Sequence, residues 1–216
     1  MSEFAVIGLG QFGMSVARHL GRQGASVLAI DMDQDLVDDA APEVDLALRA
    51  DATDERTLEE LQLNTMSCVV VAIGAHSIEA SVLTTALMKQ IGVPRIVARA
   101  MSDLHARVLR AIGADEVVNP EEEMGRRLAN RLVEPSILEQ VELGESQLAE
   151  VEAPEAFVGK NLIEADIRNR YAVSVMAIQR GEHVIANPRP TEVIQSGDIL
   201  VVVGSVESIR RVAALA

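Results

Sequence analysis

One short stretch has the residue types and spacing to hold a phosphate. Gly8-Leu9-Gly10-Gln11-Phe12-Gly13 fits G-x-G-x-x-G, follows an apolar run and precedes a helix-compatible stretch, Met14 to Leu20. Gly8 permits a tight turn, Gly10 lets the backbone approach an anion, and Gly13 lets the helix pack on the strand. The helix start then offers unpaired N–H groups and positive potential. Asp31 closes the next apolar run, roughly twenty residues on, where a carboxylate accepts hydrogen bonds from ribose hydroxyls. No Arg follows it, and a carboxylate there repels a 2′-phosphate, which disfavours NADP. Asp33 and Asp51 are further carboxylates expected at the carboxyl edge of the sheet. Asp51-Ala52-Thr53 could frame an adenine edge, although Asp33 and Thr53 equally suit helix capping.

The groups that would make such a site catalytic are missing. Hydride transfer needs a proton-transfer residue and a substrate pocket beside the cofactor. His19, His76, His105 and His183 are scattered, with His76 alone falling just after a strand where a ligand could pass. There is no Walker A lysine and no His/Cys cluster with metal-ligand spacing. Cys68 opens Cys68-Val69-Val70-Val71-Ala72-Ile73 and reads as a core residue.

The elements that must carry these residues alternate. Apolar runs at Phe4–Ile7, Val27–Ile30, Leu46–Leu48, Cys68–Ile73, Ile96–Ala98 and Val117–Val118 are separated by helix-like stretches such as Ile78–Ile91 and Ser102–Ile112. Short, nearly all-apolar strands between helices predict an α/β fold, a Rossmann-like doubly wound parallel sheet covered on both faces. Asn119-Pro120-Glu121-Glu122-Glu123 is a helix start, with a cap, a first-turn Pro and acids at the positive end. That helix carries Met124, Leu128 and Leu132 as an apolar stripe, which predicts an interface and at least a dimer. Pro135 should break it, and Ile137, Leu138 and Val141 are expected to continue as a second short helix. From about Ser146 a small α+β unit follows, with strand patterns in Tyr171–Ile178, Val184–Ile185 and Ile199–Val203 and a final helix from Val206. The expected division is 1–119 for the nucleotide domain, 120–144 for crossover helices or linker, and 145–216 for the C-terminal domain.

Composition narrows the partners. The chain of 216 residues is 49% apolar but only 2% aromatic, so base-stacking platforms are scarce. Its net charge of −14 is the wrong sign for nucleic-acid backbones and for anionic lipid. No apolar run reaches the length of a membrane span, and Met1-Ser2-Glu3-Phe4 carries no basic leader, which predicts a cytoplasmic protein.

The ordered set of motifs resembles the cytosolic regulatory subunits of Trk/Ktr-type bacterial potassium transporters, which join an RCK (regulator of potassium conductance) N-lobe to a TrkA-C-type C-lobe. Its carriers are Phe4 through Gly13, Asp51-Ala52-Thr53-Asp54, Ala72-Ile73-Gly74-Ala75, and Ile112-Gly113-Ala114-Asp115 running into Asn119-Pro120-Glu121. The C-lobe adds Gly159-Lys160-Asn161-Leu162 and Gly197-Asp198-Ile199-Leu200-Val201-Val202-Val203-Gly204. The resemblance covers essentially the whole chain. It implies a non-enzymatic sensor, peripheral to the inner face of the membrane. Its homodimers would build an octameric ring beneath a membrane-embedded potassium transporter subunit. The implied ligand is ATP or ADP, or NAD/NADH in some branches, with Ile73, Gly74 and Ala75 added to the site. The helix from Pro120 would be the dimer crossover. Many ATP-responding members carry Arg where this chain has Gln11, so the resemblance leaves ATP, ADP and NAD open; Arg99 could supply phosphate charge instead. It further implies Mg²⁺ or Ca²⁺ on Glu121, and cyclic di-AMP between C-lobes near Ile163, Arg168 and Pro190. A small NAD-dependent oxidoreductase is the alternative. A redox-sensing transcription factor would need a helix-turn-helix and a basic face, for which the acidic balance leaves no place.

Overall fold

The structure, a computed structural model, describes residues 3–74 and 77–216. The chain forms two compact units, divided between Glu123 and Met124. Ala75 and His76, both considered above, lie outside the described residues.

The first unit alternates strand and helix: β1 (Glu3–Ile7), α1 (Gln11–Arg22), β2 (Ser26–Asp31), α2 (Gln34–Ala40), β3 (Leu46–Arg49), α3 (Glu55–Glu60), β4 (Cys68–Val71), α4 (Ile78–Gln90), β5 (Ile96–Arg99), α5 (Asp103–Ile112) and β6 (Glu116–Val118). The strands are parallel, in the order β3-β2-β1-β4-β5-β6. Their nearly continuous apolar sequence follows from burial on both faces. Ala5, Ile7, Leu28, Ile30, Val69 and Val71 point to one core with Leu58, Met88 and Leu109. The alternate positions Val6, Val27, Ala29, Cys68 and Val70 point to the other, against Met14, Ala17 and Val37. Cys68 is thus a core side chain, and burial pushes its thiol pKa up. The strand order reverses between β1 and β4, which opens a crevice at their carboxyl ends.

Helix α6 (Pro120–Val133) follows β6 and leaves Met124, Leu128 and Leu132 exposed. Next come β7 (Ile137–Leu143), β8 (Ser146–Glu152), α7 (Leu162–Ala165), α8 (Ile167–Tyr171), β9 (Ser174–Arg180), β10 (His183–Ala186), β11 (Ile199–Gly204) and α9 (Val206–Ala213). The sheet is antiparallel, ordered β10-β9-β11-β8-β7. Its core gathers Val151, Phe157, Ile178, Leu200 and Val202 against Ile209 and Val212 of α9.

The second helix expected at Ile137, Leu138 and Val141 is instead strand β7. It pairs with β8 down to Leu143 opposite Ser146, closed by Gly144 at φ 64°. A two-residue, glycine-containing turn between seven-residue segments favours a hairpin over a helix. Of the connector expected over 120–144, only α6 is helical. Tyr171 ends α8, so its strand starts later, at Ser174. Among the described residues no helix is long and apolar enough to cross a membrane.

Candidate functional site

The β1–α1 turn is built by its glycines. Gly8 sits at φ 92° and donates its N–H to the Ile30 carbonyl at 2.8 Å; a Cβ on it would come within 2.9 Å of the Ile73 backbone nitrogen. A Cβ on Gly13 would collide with the Gly8 carbonyl oxygen. Gly10, by contrast, has nothing within 4 Å of its Cβ position. Two glycines therefore serve packing, and the third leaves open space above the backbone. Gly10 caps α1, and the first intrahelical bond runs from Met14 N to Gly10 O at 2.9 Å. The N–H groups of Gln11, Phe12 and Gly13 have no partner within the helix. Helices α2 to α6 each carry an acid in their first turn; α1 carries none. Its positive end is left uncompensated for an anion.

Beside this turn, β2 delivers Asp31. Its carboxylate accepts from Leu9 N at 2.6 Å and from Asp33 N at 2.9 Å, one bond per oxygen. Both oxygens keep a lone pair, so the group is held in place yet can still accept from a ligand. Asp51, after β3, accepts from the Thr53 hydroxyl at 2.7 Å and from Thr53 N at 2.9 Å on the same oxygen. Those two bonds, the hydroxyl's first, hold its pKa below the ordinary value of 3.8. Buried Thr84 of α4 donates to the Ala52 carbonyl at 3.1 Å, pinning the loop.

These pieces enclose a cleft of about 300 Å³ at the carboxyl edge. Gly8, Gly10, Asp31, Asp51, Ala52, Thr53, Ile73 and Gly74 all line it. Asp33 does not; it caps α2 by accepting from Asp35 N at 2.9 Å. Gln11, Phe12 and Gly13 form the adjoining turn. Sequence reasoning missed Met32, Leu36, Ser77, Ala80 and Thr84, which also line the cleft. Ser77, the N-cap of α4, and Ala80 and Thr84 within it are small residues at helical spacing, and that was the available signal.

Arg99, ending β5, stands behind Gly74. Its guanidinium lies 5.8 Å from the Phe12 ring centroid and forms an ion pair with Glu121. Glu121 therefore has a cationic partner within its own unit. Among the described residues no three His, Cys, Asp or Glu side chains gather closely enough to hold a metal. In the second unit, Ile163, Arg168 and Pro190 line a separate cleft of about 270 Å³ with Val173, Val175 and Pro188, and Ile163 N donates to the Pro190 carbonyl at 3.2 Å.

Known proteins resemble both units. The TrkA-N domain family matches residues 4–120 and the TrkA-C domain family residues 147–216. The Ktr system potassium uptake protein C of Bacillus subtilis is 44% identical over 210 residues, 97% of this chain and 95% of that protein. Among solved structures, the GsuK RCK domain superposes over 100% of this chain and 47% of that one, with a TM-score of 0.55 and 22% identity. A structure of GsuK bound to ADP matches 61% of this chain and 34% of that one, with a TM-score of 0.51 and 25% identity. The chain spans less than half of either GsuK structure. With a glycine-rich parallel-sheet unit, a small antiparallel unit and 44% identity over nearly its whole length to a potassium uptake protein, the chain belongs to the TrkA-N/TrkA-C family that includes the regulatory subunits of Ktr-type potassium uptake systems.

Proposed function

We propose that the first unit is an adenine-nucleotide receptor. Its occupancy sets the state of a membrane-embedded potassium transporter, with the chain acting as the cytoplasmic regulatory subunit. One observation carries the nucleotide reading: a single cleft is lined by open Gly10, at an uncompensated helix N-terminus, and by the positioned Asp31 carboxylate. The first suits a phosphate and the second a ribose. The cleft's ionisable lining among the described residues is Asp31 and Asp51, with no His, Lys, Tyr or Cys to shuttle a proton. This favours a sensor over an oxidoreductase. ADP, ATP and NAD are all compatible with the Asp31 carboxylate, with Gln11 adding no charge to the loop.

The finer reading follows the family. Homodimers form through the exposed stripe of α6 and close into an octameric ring. Glu121 would be the side chain that holds Mg²⁺ or Ca²⁺, which would offset phosphate charge there, and Ile163, Arg168 and Pro190 would hold cyclic di-AMP in their cleft. A calorimetric panel of ATP, ADP, NADH and cyclic di-AMP, in chelator and then in Mg²⁺, tests the ligands. Gly10→Val should abolish adenine-nucleotide binding and spare cyclic di-AMP. A wild type that binds none of the adenine nucleotides would refute the receptor reading.

A further inference from the structure

Beside the cleft, behind its Gly74 wall, lies an ion pair whose members have unequal surroundings. The Arg99 side chain is 12% exposed and that of Glu121 is 58% exposed. The Arg99 Nε is buried and has no hydrogen-bond partner among the described residues. Its guanidinium lies over Phe12 in the first turn of α1, and its Nη1 would stand 3.6 Å from a Cβ on Gly74, which lines the cleft. The cation thus adjoins both the cleft and the open end of α1. No Lys or Arg lines the cleft itself among the described residues, and Gln11 is neutral. A desolvated cation requires a counter-charge, and here Glu121, in the first turn of α6, supplies it.

We infer that Arg99 is the residue that reads the ligand's phosphate charge, and that Glu121 is its resident competitor: a phosphate bound at Gly10–Gly13 takes the guanidinium away from Glu121. This rests on the nucleotide reading above. A phosphate offers more charge than a carboxylate and accepts the planar fork in bidentate fashion. Glu121 leaves at small cost, because its side chain is 58% exposed and exposed ion pairs are weak. Arg99 cannot follow it outward without giving up its stack on Phe12 and its packed site. Exchange of the partner is therefore cheaper than movement of the cation. A phosphate-free nucleoside offers no exchange and leaves Glu121 in place. The first-turn acid of α6 is released by phosphate-bearing ligands alone, and any divalent cation can reach Glu121 only after that release.

The test is calorimetric titration of the full chain, in chelator, with adenosine and ADP. The proteins are wild type, Glu121→Gln, Arg99→Gln and the double variant. Glu121→Gln should tighten ADP by about two- to fivefold, the scale of an exposed ion pair, and leave adenosine unchanged. Arg99→Gln should weaken ADP by about tenfold, the scale of a charged hydrogen-bonded contact. Adding Glu121→Gln to Arg99→Gln should then change nothing. Unchanged or weaker ADP binding by Glu121→Gln would overturn the exchange. So would equal tightening in the Arg99→Gln background, because simple repulsion between carboxylate and phosphate would persist there. If the wild type binds neither adenosine nor ADP, the nucleotide reading itself fails; if both bind and Glu121→Gln is inert, only the exchange fails.

Discussion

In the first unit the cation of the main ion pair is the buried member, and in the second unit the carboxylate is. Asp198 is 1% exposed and accepts from Arg180 Nε and Nη2, each at 2.9 Å, and from Gln195 N at 2.8 Å. Arg180 also reaches Glu192 at 3.3 Å and the Val193 carbonyl at 2.9 Å. Every strong bond Asp198 makes is to its own unit, and it closes the turn at Gly197 before β11. Arg99 has one exposed carboxylate and an unused Nε beside a cleft. A buried carboxylate held by three bonds from its own unit is architecture. A buried cation whose counterion stands in water stays exchangeable, and that suits a binding site.

Breaking the two pairs should therefore have unlike consequences. Asp198→Ala should destabilise the second unit by about 3 kcal/mol, the low end for a broken buried pair because Arg180 keeps Glu192. Denaturant unfolding followed through Tyr171 reports this unit, since the chain's one tyrosine packs edge-on to Phe157 at 5.8 Å. Glu121→Gln should leave that transition where it is. A shift for Glu121→Gln as large as for Asp198→Ala would erase the distinction. Acid probes the same pair. Burial acts to raise the pKa of Asp198, and the Arg180 and Gln195 bonds outweigh it, holding the carboxyl below 3.8. A lowered folded-state pKa means stability that is fully present above the unfolded value. It is lost as pH falls from about 4 through the folded pKa. Asp198→Asn should flatten that acid limb; an unaltered limb would assign it to other carboxylates.

Within the cleft the effects are smaller. Asp31→Ala should weaken adenine-nucleotide binding by about 1–3 kcal/mol, through charged hydrogen bonds lost, and a calorimetric affinity equal to wild type would remove Asp31 from the ribose. Thr53→Val deletes one of the two donors to Asp51 and should cost ~0.5 kcal/mol of binding, the low end for an exposed hydrogen bond. A loss as large as that of Asp31→Ala would mean that Thr53 touches the ligand directly.

Much of the first unit was legible because a strand covered on both faces must be apolar throughout, and the breaks between such runs mark the helices. The roles of Gly8 and Gly13 were readable for a similar reason, since each is a steric demand on one residue. The second unit was harder. Ile137, Leu138 and Val141 satisfy helical spacing, and only Ile137 and Val141 share the parity of a strand face. On an edge strand Glu139, Gln140 and Glu142 carry little patterning, and the turn at Gly144 decides the matter. Asp33 was balanced between cap and ligand contact, and the bond from Asp35 N places it at the cap. The partners of Arg99 and Asp198 were hidden because each lies many residues away, at Glu121 and Arg180, and nothing in local spacing encodes such a pairing.

The bare tip of α1 also bears on how fast a ligand arrives. An anion approaching a chain of net charge −14 first meets a repulsive far field and finds attraction only in the last few ångströms, where the start of α1 adjoins the cleft and Arg99 lies behind Gly74. At an ionic strength of ~0.15 M the screening length is about 8 Å, long enough to hide the distant acids yet comparable to the reach of the local well. Added electrolyte therefore lifts the outer barrier more than it flattens the inner attraction. Nucleotide association with this chain should quicken as the surrounding salt rises, opposite to the behaviour of a basic phosphate-binding protein.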